Sequence, residues 1–228
     1  MTTVFDRQAE TYSDSINESL GKFGANHDFF MEHKSWLIDY VLMNRSMDAS
    51  TSRLLDVGCG TGLLHRRIGS KFARIDGIDI SAASIAVAVQ SQSQHHYRVY
   101  DGHRIPSDDD SYDIAIAVAV FHHVPPSKWL GLAAEMLRVT RKGGLCLVIE
   151  HNPVNPVTRH IVNNCELDED AVLLWPAKLR ALFLEAGGAD VKTRAVLTIP
   201  PLVSVLRRLD HALGFAHLGA QYYMTATV

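Results

Sequence analysis

Short runs of apolar and β-branched residues alternate along the chain with longer segments in which apolar residues recur at helical spacing. The short runs predict buried strands, and the longer segments predict helices that cross from one strand to the next. This alternation is typical of βαβ units, and it therefore predicts a doubly wound α/β fold with helices on both faces of a parallel sheet. The predicted strands are Arg53 to Val57, Ile75 to Ile80, Tyr97 to Tyr100, Ile114 to Val118 and Leu145 to Glu150.

The segments between the strands predict three crossover helices with recognisable ends. They are Leu63 to Phe72, a helix capped by Ser81 and running to Gln92, and a helix capped by Ser127 and running to Thr140, which Lys142-Gly143-Gly144 ends. Before the first strand, His27 to Asn44 has apolar spacing suited to a helix packed on the core. After Glu150 we expect a helix at Ala177 to Ala186, a strand at Val191 to Ile199, a helix at Leu202 to Leu213 and a final strand from Gln221.

Composition narrows the possible partners. The chain has 228 residues, of which 47% are hydrophobic and 21% charged, as expected of one globular domain. The net charge of -3 disfavours nucleic acid as the main partner, so a small molecule is the better candidate. Three widely separated cysteines predict reduced thiols, and no apolar run suffices for stable membrane insertion. A cytoplasmic location is the resulting expectation.

The sharpest motif is Leu54-Leu55-Asp56-Val57-Gly58-Cys59-Gly60-Thr61-Gly62, a strand that runs into three glycines and then a helix. Glycine lets the backbone turn tightly and approach a ligand closely, although a simple glycine turn is the alternative. A nicotinamide-binding loop would have a third glycine where Leu63 stands, and Asp56 would repel its pyrophosphate. The Asp56 carboxylate would instead favour an ammonium group.

This loop resembles that of the class I S-adenosylmethionine-dependent methyltransferases, of the small-molecule type. The resemblance implies a seven-stranded sheet in the order 3-2-1-4-5-7-6 with the last strand antiparallel, and S-adenosyl-L-methionine as cofactor. It implies that the methionine half of the cofactor binds at Asp56, Gly58, Cys59, Gly60 and Gly62.

Two further segments resemble the family's contacts to the nucleoside. Gly77-Ile78-Asp79-Ile80-Ser81 implies that Asp79, beside Ile80, takes the ribose hydroxyls, although Asp79 could instead cap a helix. Asp101-Gly102 implies an acceptor for the adenine amino group, with an ordinary turn aspartate as the alternative.

The end of the fourth strand resembles the family's segment near the transferred methyl group. It places Ala117 and Val118 against the cofactor and makes His122 and His123 candidate general bases, unless these histidines only shape the pocket. At the N-terminus, a Phe-Asp-x-x-Ala-x-x-Tyr opening implies that Tyr12 folds over the cofactor, with core packing as the alternative.

The resemblance also divides the chain, as one domain of residues 1–228. Residues 1–50 form a helical cap, 51–150 the cofactor-binding core and 151–228 a substrate-shaping part. Glu150, His151 and Asn152 resemble members of sugar or polysaccharide pathways, and the Leu202 to Leu213 helix could touch a lipid-linked acceptor, although turn chemistry and core packing are alternatives.

Three classes of function stay open. They are methyl transfer to a small molecule, a non-catalytic binding module with this fold, and a nicotinamide-dependent oxidoreductase. Asp108-Asp109-Asp110 predicts a solvated turn, and we predict no metal. The acceptor, the atom methylated and the oligomeric state do not follow from the sequence.

Overall fold

The described part of the chain in this computed structural model is residues 27–198, 210 and 218–228. Seven strands form one sheet there: β1 (Arg53–Val57), β2 (Arg74–Asp79), β3 (His96–Val99), β4 (Tyr112–Val118), β5 (Thr140–His151), β6 (Ala189–Val196) and β7 (Gln221–Thr227). Their order across the sheet is β3-β2-β1-β4-β5-β7-β6, and β7 runs antiparallel to β5 and β6. The predicted fold class and strand order are confirmed.

Six α-helices accompany the sheet in the described residues. They are α1 (His27–Asn44), α2 (His65–Ile68), α3 (Ala82–Ser91), α4 (Trp129–Val139), α5 (Pro156–Asn163) and α6 (Pro176–Glu185). The helix predicted at Leu202 to Leu213 lies outside the described residues except for Asp210, whose carboxylate accepts hydrogen bonds from the backbone N–H groups of Leu197 and Thr198.

The middle of each central strand is apolar because both faces of the sheet are covered. Leu54 and Leu55 are both fully buried and point to opposite faces. Leu54 packs with Leu37 and Ile38 of α1, whereas Leu55 lies in the cluster that contains Leu179 of α6. These two cores cover both faces of the sheet and leave the ends of the strands for a ligand.

The helix boundaries agree with the predictions in part. Ser81 caps α3, with its Oγ accepting from the Ser84 backbone N–H at 3.1 Å. The helix predicted at Leu63 to Phe72 is shorter, because α2 gives way at Gly69 to a single 3₁₀ turn. Glycine is a poor helix former, and no side chain caps the start of α2.

Two predicted helix signals are wrong. Ser127 does not cap a helix, because Pro126–Lys128 forms a 3₁₀ turn and α4 starts at Trp129 without a side-chain cap. Lys142-Gly143-Gly144 does not end that helix, which already stops at Val139, and β5 runs through both glycines. A Cβ at Gly144 would lie 2.7 Å from the Asp113 carbonyl oxygen, so glycine serves close packing there.

The segment after β5 contains a helix that the sequence pattern did not predict. Asn155 caps α5 by accepting hydrogen bonds from the backbone N–H groups of Val157 and Thr158, at 2.9 and 3.1 Å. Pro156 then occupies the first helical position, where its missing N–H costs nothing. The Asn-Pro pair that indicated a turn is therefore a helix start.

Strands β1 and β4 are neighbours, yet the chain crosses from β1 toward β2 and β3 before it returns to β4. Ligands of open α/β sheets bind at such a reversal, outside the carboxyl ends of the strands. None of the helices described has the length and apolarity that a membrane crossing requires.

Candidate functional site

A cavity of about 290 Å³ lies at the carboxyl ends of β1, β2 and β4. Ten residues that the sequence analysis selected line it: Asp56, Gly58, Cys59, Gly60, Asp79, Ile80, Asp101, Gly102, Val118 and His123. The structure therefore brings segments that are up to 67 residues apart in sequence to one cavity.

The glycine loop turns sharply between β1 and α2. Gly58 and Gly60 have φ angles of +75° and +53°, which side chains disfavour. A Cβ at Gly58 would lie 2.5 Å from Cγ2 of Val120, whereas a Cβ at Gly60 would meet nothing within 4 Å. The Gly60 N–H donates to Oδ2 of Asp79 at 2.8 Å, so the loop and the end of β2 hold each other.

Two of the residues predicted to bind the cofactor, Gly62 and Ala117, lie outside the cavity lining. Gly62 faces the opposite way, where a Cβ would lie 2.8 Å from the Tyr97 hydroxyl and 3.0 Å from Nε2 of Gln92. Ala117 is fully buried in the core between β4 and α4. Both are part of the packing beneath the site, and the alternation of side chains along β4 puts Val118, not Ala117, at the cavity.

Asp56 presents one paired and one unpaired oxygen. Its Oδ2 lies 2.9 Å from Nε2 of His65, and Nδ1 of that ring lies 2.8 Å from the Tyr97 hydroxyl. Its Oδ1 is buried and has no hydrogen-bond partner among the described residues. A buried carboxylate oxygen without a partner is costly, so a bound donor would stabilise it.

Lys34 of α1 is a lining residue that sequence reasoning missed. Its side chain is 7% exposed, and within the described residues no hydrogen bond or ion pair satisfies its ammonium group. Burial lowers its pKa to about 8, against the charges of Glu150 and Asp56, which raise it. No local motif marks Lys34, because only the packing of α1 on the sheet brings it to the cavity.

Asp79 and Asp101 close the other side of the site. Asp79 accepts at 2.8 Å from the backbone N–H of Ser81 as well as from Gly60, and burial raises the pKa of its carboxyl group. Asp101 accepts through Oδ1 from the backbone N–H groups of His103 and Arg104, which lowers its pKa. Asp101 thus stabilises its own turn and also lines the cavity, with Gly102 at φ +74° beside it.

The two candidate bases differ sharply. His122 is 1% exposed, does not line the cavity, and has its Nδ1 2.6 Å from Oε2 of Glu150. Burial lowers its pKa, but the charges of Glu150 and Asp168 outweigh this and raise it to about 9. His123 lines the cavity, and burial together with His122 lowers its pKa to about 3.

The substrate residues predicted after the fifth strand, Glu150, His151 and Asn152, lie at the end of β5 and directly after it, away from the cavity lining. Glu150 is buried, and its Oε1 accepts from the backbone N–H groups of Val120 and Phe121. Asn152 is buried and bonds to the Gly219 carbonyl oxygen at 2.7 Å, while burial lowers the pKa of His151 to about 4. Glu150 therefore positions the loop after β4, and Asn152 holds the segment before β7. Tyr12 lies outside the described residues.

Comparisons with known proteins agree on the domain. Residues 55–148 match the profile of a family described as a methyltransferase domain. The chain contains a class I S-adenosylmethionine-dependent methyltransferase domain. The cofactor of this domain is S-adenosylmethionine.

Curated relatives of this methyltransferase domain include a malonyl-[acyl-carrier protein] O-methyltransferase of Serratia marcescens, 36% identical over 42% of the chain and 36% of that protein. A ubiquinone biosynthesis O-methyltransferase of a Chelativorans species is 28% identical over 66% of the chain and 64% of its own length. The chain thus spans between about a third and two thirds of these relatives. A solved S-adenosylmethionine-dependent methyltransferase from Thermotoga maritima superposes with a TM-score of 0.71 at 18% identity, covering 98% of the chain and 97% of that structure.

The residues of the methyltransferase domain fit this cofactor. Its methionine part carries an ammonium and a carboxylate, and the cavity wall offers the unpaired Asp56 Oδ1 and the buried Lys34 ammonium. Its ribose carries two hydroxyl donors, which the second lone pairs of the Asp79 carboxylate can accept. The thiol of Cys59 is no nucleophile, because burial and the Asp56 and Asp79 charges raise its pKa well above the ordinary value.

Proposed function

We propose that the chain transfers a methyl group from S-adenosylmethionine to an oxygen atom of a small-molecule acceptor. The observation that carries the proposal is the Asp56 carboxylate at the cavity wall, with a buried Oδ1 that lacks a partner among the described residues. This oxygen would repel a pyrophosphate and attract an ammonium group, so it favours the amino-acid end of S-adenosylmethionine over a nicotinamide dinucleotide.

The chain's own residues are proposed to bind and orient. When bound, S-adenosylmethionine supplies an electrophilic methyl group on its sulfonium. Asp56 and Lys34 hold the charged amino-acid end, Asp79 holds the ribose, and Asp101 with Gly102 borders the adenine. Good alignment of the reacting groups alone can lower a barrier by about 7 to 11 kcal/mol.

Oxygen as the methylated atom is supported by the relatives, which are named O-methyltransferases. The segment after β4 lines the cavity with apolar side chains, with His123 and with Lys128. Apolar lining with a cation suits an acceptor that has an apolar body and a polar or anionic group. A sugar or polysaccharide intermediate stays a prediction, and it belongs in the panel of acceptors to be assayed.

Neither histidine is well suited to act as a strong base. Both ring nitrogens of His122 face carboxylates, and the ring does not reach the cavity. His123 does reach it, but a pKa of about 3 makes its imidazole a weak proton acceptor. Their role as general bases stays a prediction, and positioning of the acceptor is the function that the geometry favours for His123.

The first test is calorimetric titration with S-adenosylhomocysteine and, separately, NADH. We expect micromolar binding of S-adenosylhomocysteine, which corresponds to about 8 kcal/mol, and no binding of NADH. Asp79→Ala should abolish the binding of S-adenosylhomocysteine. Asp108→Ala, which removes a carboxylate from an exposed turn, should leave that binding unchanged. A folded protein that binds neither ligand would contradict the proposal.

The second test is a methyl-transfer assay with labelled S-adenosylmethionine on phenols, carboxylic acids, sugars and amines. Label should appear on an oxygen of one acceptor class and be lost in Asp79→Ala. Transfer to an amine alone would overturn oxygen methylation. Tight cofactor binding without transfer to any class would favour the binding-module alternative.

A further inference from the structure

Two histidines and an aspartate converge directly behind the cavity. Oδ1 of Asp168 lies 3.5 Å from Nε2 of His122 and 3.4 Å from Nε2 of His123. One donor atom from each of the three residues lies within 4.8 Å of the other two. We propose that His122, His123 and Asp168 bind a divalent transition-metal ion, Zn²⁺ being the ion that this donor set favours. This differs from the sequence-based expectation of no metal.

The spacing of the donors carries the proposal. A hydrogen bond between an imidazolium and a carboxylate is about 2.7 to 2.9 Å long, so 3.5 and 3.4 Å are too long for good hydrogen bonds. Ligand atoms placed tetrahedrally at about 2.1 Å from one ion lie about 3.4 Å apart. The distances to the Asp168 oxygen therefore suit a shared ion better than a shared proton.

Glu150 completes the arrangement from behind. Its Oε2 lies 2.6 Å from Nδ1 of His122, the ring nitrogen that faces away from Asp168. Its Oε1 accepts from the backbone N–H groups of Val120 and Phe121 at 2.9 and 2.7 Å, so the carboxylate is fixed. Metal-binding histidines commonly donate their second ring N–H to such a carboxylate, which sets the tautomer and the ring orientation.

The backbone explains how two consecutive histidines reach one point. Ala119 at φ +59° turns the chain at the end of β4, and Phe121–His123 forms a 3₁₀ turn, which brings the two imidazole centroids to 4.0 Å. The Val172 N–H donates to the His122 carbonyl oxygen at 2.8 Å and ties down the loop that carries Asp168. The three donors are thus held by main-chain contacts.

The proposed ion would lie next to the acceptor. His123 lines the cavity, whereas His122 and Asp168 do not, so an ion held by all three would lie beside the one ligand that reaches the cavity. Resting on the proposed function, this assigns the site a Lewis-acid role toward a hydroxyl or carbonyl oxygen of the acceptor. It also makes His122 and His123 ligands, in place of general bases.

The test is metal titration of the chelator-treated full chain. We expect one equivalent of Zn²⁺ to bind at micromolar concentration or below, and Co²⁺ to give the intense visible absorption of tetrahedral coordination. Asp168→Ala and His123→Ala should each weaken Zn²⁺ binding at least a hundredfold. Glu150→Gln should weaken it about 10- to 100-fold, as loss of a supporting carboxylate does.

Controls separate the possible outcomes. Asp170→Ala removes an exposed carboxylate from the same loop and should leave Zn²⁺ binding unchanged. Absence of stoichiometric Zn²⁺ and Co²⁺ binding by the wild-type chain would overturn the proposal, and so would binding that survives both ligand substitutions. Titration of S-adenosylhomocysteine on the same samples keeps the two proposals apart. Cofactor binding without metal binding defeats only the metal site, and the reverse defeats only the methyltransferase proposal.

Discussion

The glycine loop after β1 and the histidine cluster after β4 border the same cavity but are built differently. The loop acts mainly through backbone: positive φ angles at Gly58 and Gly60 and a backbone N–H that donates to Asp79. The cluster acts through side chains brought together over long sequence distances, such as the Glu150 bond to His122, 28 residues away. The loop can therefore be recognised in the sequence as a local motif, whereas the cluster cannot.

This difference bears on what each region tolerates. A backbone loop is disrupted by any side chain that its conformation excludes, whatever the chemistry of that side chain. A side-chain cluster is disrupted by changes of donor atom or charge, even at constant volume. Substitutions in the two regions should accordingly differ in kind.

The largest effect is expected at Gly58. Gly58→Ala places a Cβ 2.5 Å from Cγ2 of Val120 in a backbone with φ +75°, so we expect the free energy of unfolding to fall by about 2 to 5 kcal/mol. Gly60→Ala has the φ penalty alone and should cost about 1 to 2 kcal/mol. Thermal or urea unfolding measures both.

A double substitution isolates the steric part of that effect. Val120→Ala removes the two methyl groups nearest the new Cβ, so it should restore part of the stability of Gly58→Ala and none of that of Gly60→Ala. Equal losses in Gly58→Ala and Gly60→Ala would show that close approach to Val120 does not matter.

The next effect is on cofactor affinity through Asp79. The two oxygens of Asp79 each accept from a backbone N–H group, of Gly60 and of Ser81. Asp79→Asn keeps the volume, but the single amide oxygen can accept only one of those two hydrogen bonds, and the amide NH2 faces the other donor. We expect the Kd for S-adenosylhomocysteine to rise about 10- to 100-fold, from a loss of about 1.5 to 3 kcal/mol. Calorimetry measures it, and an unchanged Kd would remove Asp79 from the site.

A smaller effect, dependent on pH, is expected from Lys34. Because its pKa is about 8 in the folded chain, the ammonium that is proposed to hold the cofactor carboxylate is lost as pH rises above 8. Affinity for S-adenosylhomocysteine should be level below pH 8 and fall by up to about tenfold per pH unit above it. Lys34→Met should bind S-adenosylhomocysteine more weakly at pH 7 and lack the fall in affinity above pH 8. Any fall that remains in this variant measures the titration of the ligand itself.

The lowered pKa of Lys34 affects folding stability in the opposite direction from ligand affinity as pH rises. Between pH 8 and the ordinary value of 10.5, the unfolded chain binds more protons at Lys34 than the folded chain does. The Lys34 contribution to the free energy of unfolding therefore increases with pH across that window. The charges of Asp56 and Glu150 make this increase smaller, because they raise the Lys34 pKa that burial lowers. Urea unfolding of wild type and Lys34→Met at pH 7 and pH 9.5 measures the difference.

The smallest effect is expected at Tyr97, which supports Asp56 through His65. Tyr97→Phe removes the hydroxyl 2.8 Å from Nδ1 of His65 and should cost about 0.5 to 1.5 kcal/mol, a few-fold in cofactor Kd. His65→Leu should cost more, because it leaves both Asp56 oxygens buried without a partner. If both variants bind the cofactor like wild type, His65 does not position Asp56.

Much of the fold could be predicted, because each buried strand is a short apolar run and each helix shows apolar residues at helical spacing. Both patterns are visible within a few neighbouring residues. β1 has the bounds that its sequence pattern predicts, and β7 starts at the predicted residue, whereas β2 to β6 differ from prediction at one or both ends by one to five residues. The wrong helix signals were at Ser127 and at Gly143-Gly144, where proline geometry and close packing on Asp113 decided the backbone. Local propensity does not contain such tertiary contacts.

By itself, the sequence determined the backbone chemistry of the glycine loop and the acidic residues at the ends of β1, β2 and β3. Residues that act through φ angles or through neighbours in sequence leave a local pattern. Only the tertiary structure decided that Lys34 reaches the cavity, that His65 holds Asp56, that Gly62 and Ala117 lie beneath the site, and that Asp168 meets His122 and His123. These relations depend on how helices and loops pack across the sheet, and packing joins residues whose separation in sequence has no period.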